Sequence, residues 1–142
     1  LRTVVVEAEL RPSEDKGKVL LAISNFLDYD QLEEEKGGIS GTLIAGATSL
    51  SAVTKLHNAL RKQRILDAAR KHMIKGRKEN GLFFMLHKQA AAVGKVSFVD
   101  SESESPCGPL KFYIFHGDPL AVIDWLAPRT SRGVPIREYP MP

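Results

Sequence analysis

What the chain lacks narrows its chemistry first. It has one cysteine, Cys107, so no disulfide can close within it, which fits a reducing interior. No apolar run approaches the ~20 residues a membrane helix needs. Glu7 and Glu9 interrupt the first apolar stretch, where a secretion signal would need an unbroken core. A cytoplasmic location is therefore expected. The four histidines, His57, His72, His87 and His116, form no His-x-x-x-His or His-Glu-x-x-His pair, and no metal site is expected. There is no Gly-x-Ser-x-Gly turn for a serine nucleophile. Gly37-Gly38-x-x-Gly41 lacks the Lys-Ser/Thr of a phosphate loop and leads into a strand-like segment. Cys107 follows an acidic loop, a poor setting for a thiolate, and reads as structural. Glu102 and Glu104 lie in that same polar loop rather than in a cleft. With no catalytic constellation, neither enzymatic activity nor a cofactor is expected.

Acids are scarce in one place. From Ser49 to Lys78 the chain carries nine positive charges (Lys55, Arg61, Lys62, Arg64, Arg70, Lys71, Lys75, Arg77, Lys78) and one negative, Asp67. That stretch is +8 in a chain of net +3, so the remainder sums to −5 and the basic character is local. Good helix formers dominate, and Thr48 or Ser49 can cap the start. Apolar residues recur helically at Leu50, Val53, Leu56 and Leu60, then at Leu66, Ala69 and Met73. The slip between these sets predicts a bend or break near Lys62–Arg64. Arg64, Lys71, Lys75 and Lys78 fall on one helical stripe, a phosphate-tracking surface if the opposite side docks on a core. The plain alternative is a solvated helix face.

The 142 residues suit one domain that buries roughly two-thirds of its unfolded surface. Residues 3–10 alternate as a half-exposed strand, and Ser13 is the expected cap of a helix with Val19, Leu20, Ile23, Phe26 and Leu27 on its apolar side. Residues 31–47 read as a hairpin turning at Gly37-Gly38. LFFMLH (82–87) looks like a central strand buried on both faces. A one-turn helix or connection (88–93), a strand at 96–99, a loop at 101–109 and an alternating strand at 110–116 follow. Asp118-Pro119 opens a last helix, in which Trp125 reads as core. The order β-α-β-β-α-β-β-β-α predicts an α+β domain over 1–128, a largely antiparallel or mixed sheet with helices packed on one face. Residues 129–142, rich in proline and arginine, are expected to form an extended surface tail.

The candidate RNA contacts are Arg61, Lys62, Arg64, Arg70, Lys71, Lys75, Arg77 and Lys78, extended by Lys88, Gln89 and Lys95 beside the central strand. Such cations neutralise phosphates without reading bases. Phe83, Phe84, Phe98, Phe112, Tyr113 and Phe115 all fall on expected strands, and an exposed pair could stack bases. The basic-aromatic-glycine signature of RNA-recognition sheets is missing and a core needs most of these rings. The cations, not the rings, are the candidates.

Three blocks, ALRKQRILDAARKHMIKG (59–76), HKQAAAVGKVSFVDSESESPCGPLKFYI (87–114) and IDWLAPRTSRGVP (123–135), with the opening RTVVVEAELRPSED (2–15), carry a resemblance. The chain resembles an uncharacterised archaeal protein family described as predicted RNA-binding or exosome-associated. That resemblance implies a fold like the 5S-rRNA-binding ribosomal protein, a sheet covered by helices. It also implies an RNA-binding role, as an accessory to RNA processing or the ribosome, with protein partners in RNA processing. Arg61, Arg64 and Arg70 stand at the family's arginine positions, and Cys107 stands where that family has an aliphatic residue. The competing expectation is a protein–protein adaptor whose basic helix docks an acidic partner.

Overall fold

The computed structural model describes residues 2–142. Strand β1 (Val4–Leu10) lies between β3 (Ser40–Ala47) and β7 (Leu110–Phe115). β2 (Gln31–Gly37) adds one edge, and β5 (Gly81–Leu86) lies beyond β7. Two-residue strands β4 (Arg77–Lys78) and β6 (Phe98–Val99) pair with successive parts of β5's outer side. Every pairing in this seven-stranded sheet is antiparallel. The fold is α+β, with the helices on one face.

Register explains that one-sidedness. Three rows of buried side chains cross four strands: Ala47–Val4–Ile114–Leu82, Ala45–Val6–Phe112–Phe84 and Leu43–Ala8–Leu110–Leu86. The helices α1 (Lys16–Ser24), α2 (Thr54–Lys62), α3 (Leu66–Lys75), α4 (Lys88–Ala92) and α5 (Pro119–Leu126) supply the other half of this core. Ile23, Leu56, Leu60, Met73, Ile123 and Leu126 are fully buried against the rows. Alternation sends Val5, Glu7, Ile44, Tyr113, Lys111, Phe83 and Met85 to the uncovered face.

Several expectations change. β5 is not buried on both faces, because Phe83 and Met85 are half-exposed where no helix covers the sheet, and the central strands are β1 and β7. Asp15, not Ser13, caps α1, accepting from the Gly17 amide at 2.8 Å, because a turn closed by the Glu14 amide and the Arg11 carbonyl occupies 11–14. The expected strand at 96–99 shrinks to Phe98–Val99, since the backbone of Val96 is bound by the Gln63 side chain instead. Thr130–Ser131 (β8) and Val134–Pro135 (β9) pair as a small hairpin through Arg132-Gly133, both left-handed, where extended chain was expected.

α3 reaches β5 only because Gly76 has no side chain. A Cβ there would stand 1.7 Å from the Phe83 carbonyl oxygen, and the Phe83 amide donates back to the Gly76 carbonyl at 3.0 Å. Gly76→Ala should cost roughly 2–4 kcal/mol through forced separation of α3 from β5, measured by urea denaturation.

Candidate nucleic-acid interface

The site starts where the basic stretch breaks. α2 closes with a pair of backbone bonds, Arg64 N–H to the Arg61 carbonyl (3.1 Å) and Ile65 N–H to the Leu60 carbonyl (3.1 Å). This is the Schellman arrangement, whose C′ position takes left-handed backbone and is usually glycine. α4 ends the same way with Gly94 at φ +80°. α2 ends with Arg64 at φ +56°, its side chain exposed. The expected single stripe through Arg64, Lys71, Lys75 and Lys78 is therefore spread over three elements: Arg64 on the corner, Lys71 and Lys75 on α3, Lys78 on β4.

Gln63, which the sequence reading passed over, organises this corner. Its side-chain amide donates to the Val96 carbonyl (3.0 Å) and its oxygen accepts from the Val96 amide (2.8 Å). That clasp holds the backbone next to Lys95 against the residue between Lys62 and Arg64. Lys62, Arg64, Lys71, Arg77, Lys78 and Lys95 are exposed, and among the described residues none pairs with a carboxylate.

The other candidates are committed elsewhere. Arg61 makes a bidentate pair with Glu138 (2.9 and 2.7 Å) and donates to the carbonyls of His57, Trp125 and Leu126. Arg70 donates to Asp124 (2.8 Å) and the Ala127 carbonyl (3.1 Å). Both arginines thus satisfy free carbonyls at the end of α5 and hold it to α2 and α3. Lys88 is 2% exposed, its ammonium held by Glu14, the Glu9 carbonyl and the Cys107 carbonyl. It ties α4 to the start of α1 and cannot reach a phosphate. Gln89 is exposed but bonded to the Pro106 carbonyl at 2.7 Å. Long-range partners decide these roles, and no local sequence signal marks them.

The acidic loop covers little of this surface. Asp100 lies 3.5 Å from the Lys75 ammonium and 3.3 Å from His72, whereas Glu102 turns to Lys111 on the uncovered sheet face (2.8 Å). Among the described residues no group of three or more metal-ligating side chains gathers. Among the described residues no helix is long and apolar enough to cross a membrane.

A family model described as RNA binding matches residues 3–114. The chain belongs to that RNA-binding family. A UPF0201 protein of Sulfurisphaera tokodaii is 53% identical over 139 residues, covering 98% of this chain and 96% of that one. A UPF0201 protein of Saccharolobus islandicus is 54% identical over the same shares of both chains. Among solved structures, the UPF0201 protein of Methanococcus jannaschii superposes with a TM-score of 0.83 at 38% identity, over 94% of this chain and 98% of that one. The family's fold is thus the fold described above, and the match includes the corner, α3, β4 and Lys95.

Two outcomes follow from the charge assignments. Lys88→Ala strands Glu14 and two carbonyls in a buried setting and should cost about 3–5 kcal/mol, whereas Lys62→Ala should stay within about 0.5 kcal/mol in the same denaturation assay. The second concerns pH. Burial lowers the His57 imidazole below its ordinary 6.5, and the neighbouring Arg61 charge adds to this. Glu138 is held below its ordinary 4.5 by the hydrogen bond from Arg61. Both groups contribute stability at neutral pH. The His57 part is lost as pH falls below 6.5 through its folded value, and the Glu138 part as pH falls below 4.5. Melting temperature against pH should show both losses, the first flattened by His57→Gln and the second by Glu138→Gln.

Proposed function

We propose that this protein is a non-catalytic, cytoplasmic RNA-binding accessory of RNA processing or of the ribosome. It grips phosphates through Lys62, Arg64 and Lys95 at the α2–α3 corner, Lys71 and Lys75 on α3, and Arg77 and Lys78 on β4. The observation that carries this reading is the exposed Arg64, without a carboxylate partner among the described residues, in left-handed backbone at a helix end. A non-glycine residue there costs about 1–2 kcal/mol, and α4 avoids that cost with Gly94 in the same motif. A merely solvated helix face has no use for such strain, whereas an arginine aimed off a rigid corner at a phosphate does. Family membership supports RNA as the partner.

Fluorescence anisotropy of labelled RNA across a salt series tests it. Four to six phosphate contacts predict a log–log slope of about −3 to −5. Arg64→Gly separates function from fold: stability should rise by about 0.5–1 kcal/mol while the slope loses about 0.7. Arg64→Glu with Lys71→Glu should reduce binding further without unfolding. Absence of binding at low salt would remove direct RNA recognition and leave the basic surface to an acidic protein partner.

A further inference from the structure

We propose that the uncovered sheet face carries a base-stacking platform for single-stranded RNA, with Phe83, Tyr113 and Phe115 as its rings. The proposal rests on the RNA-binding reading above and specifies the kind of RNA. Phe83 and Tyr113 are directly paired across β5 and β7, with ring centroids 5.0 Å apart and planes inclined by 39°. Phe115, two residues beyond Tyr113 on the same face, is 51% exposed. Its cross-strand partner is Gly81, which offers no side chain to cover the ring. An open cleft of about 260 Å³ runs past these rings and is bounded also by Lys78, Glu79 and Asn80. A shallow, open ring surface suits stacking of successive bases better than enclosure of a small molecule.

Charge selects the occupant and its path. On β4 Lys78 stands opposite Gly81 and so shares the face of Phe115, whereas Arg77, opposite the buried Leu82, faces the helix side. Neither has a carboxylate partner among the described residues, and beside the single Glu79 of the turn they leave this edge net positive, placed for the phosphates of a strand whose bases lie on the rings. The opposite end is acidic, with Glu7, Glu33 and Glu35 on β1 and β2, and it repels phosphate. Arg2 is already drawn to Glu33, and Lys111 to Glu102. A strand should therefore enter at β4 and cross β5 and β7 no further than Tyr113. A second copy of this chain laid on the same face would have to bury those carboxylates with the rings, so RNA is the better fit. Stacking accepts every base, so the site should favour single strands over duplex without favouring a sequence.

The test uses the full chain with single-stranded RNA containing 2-aminopurine, the same strand with consecutive abasic positions, and a duplex competitor. Quenching of 2-aminopurine on binding is expected, with roughly tenfold weaker affinity for the abasic strand and for Phe115→Leu, at an unchanged salt slope. Phe115 is half-exposed, so Phe115→Leu should fold, and its melting curve checks that. Equal affinity for natural and abasic strands without quenching would overturn the platform while leaving phosphate binding standing. Failure to bind any RNA at low salt would overturn both. A concentration-dependent dimer in sedimentation, dispersed by Phe115→Ser with RNA affinity unchanged, would assign the rings to a second copy and overturn the platform.

Discussion

An antiparallel sheet covered by helices on one side divides its strands into two populations, and the rest of this molecule depends on that division. The three rows through Val4, Val6 and Ala8 take the apolar side chains that the helices bury. Fixing these rows fixes the other face too, because a shift of one residue in any strand would exchange the two sets. Val5, Glu7, Tyr113 and Phe83 are therefore left half-exposed as a consequence of burying their neighbours. The edge at β2 is closed to further pairing by Glu33, Glu34, Glu35 and Lys36, charges that discourage an added strand.

The same sorting operates among the cations. A charge taken from water needs partners, and Arg61, Arg70 and Lys88 each find a carboxylate together with backbone carbonyls. They work as fasteners between elements distant in sequence. Asp67, the lone acid of the basic stretch, accepts a hydrogen bond from Thr130 of the C-terminal hairpin. That bond ties the start of α3 to the hairpin. Among the described residues without a carboxylate partner, Lys62, Arg64, Lys71, Arg77, Lys78 and Lys95 follow the corner, α3 and the β4 edge, while Lys18, Lys36, Arg129, Arg132 and Arg137 lie apart from them.

These roles show how far the sequence could be read. Strand alternation, the glycine turns and the break in the basic stretch are local properties, and they placed the helices and most strands. The LFFMLH run misled because a continuous apolar sequence does not distinguish burial on both faces from aromatic side chains left on an open one. Charge partners were invisible for a different reason. Glu138 reaches Arg61, and Glu14 reaches Lys88, only after the chain has closed the core between them. The helical stripe failed at Arg64 for a conformational reason, since nothing in an arginine announces that it will occupy a glycine position.

β4 joins the two candidate surfaces. Gly76 lets α3 end against the Phe83 carbonyl, so Arg77 and Lys78 pass directly from the helical layer to the sheet edge. The cations of α3 therefore continue over that edge to the side where Phe83 and Tyr113 are half-exposed and Phe115 is exposed. A duplex is too stiff and too wide to follow such a turn while presenting its bases to rings, whereas a single strand bends freely and exposes both phosphate and base. With two residues, β4 is also too short to serve as a template for an added protein strand. The shape of the edge and the order of charges and rings along it thus fit the proposed single strand, with its phosphates toward the helix side and its bases toward the sheet.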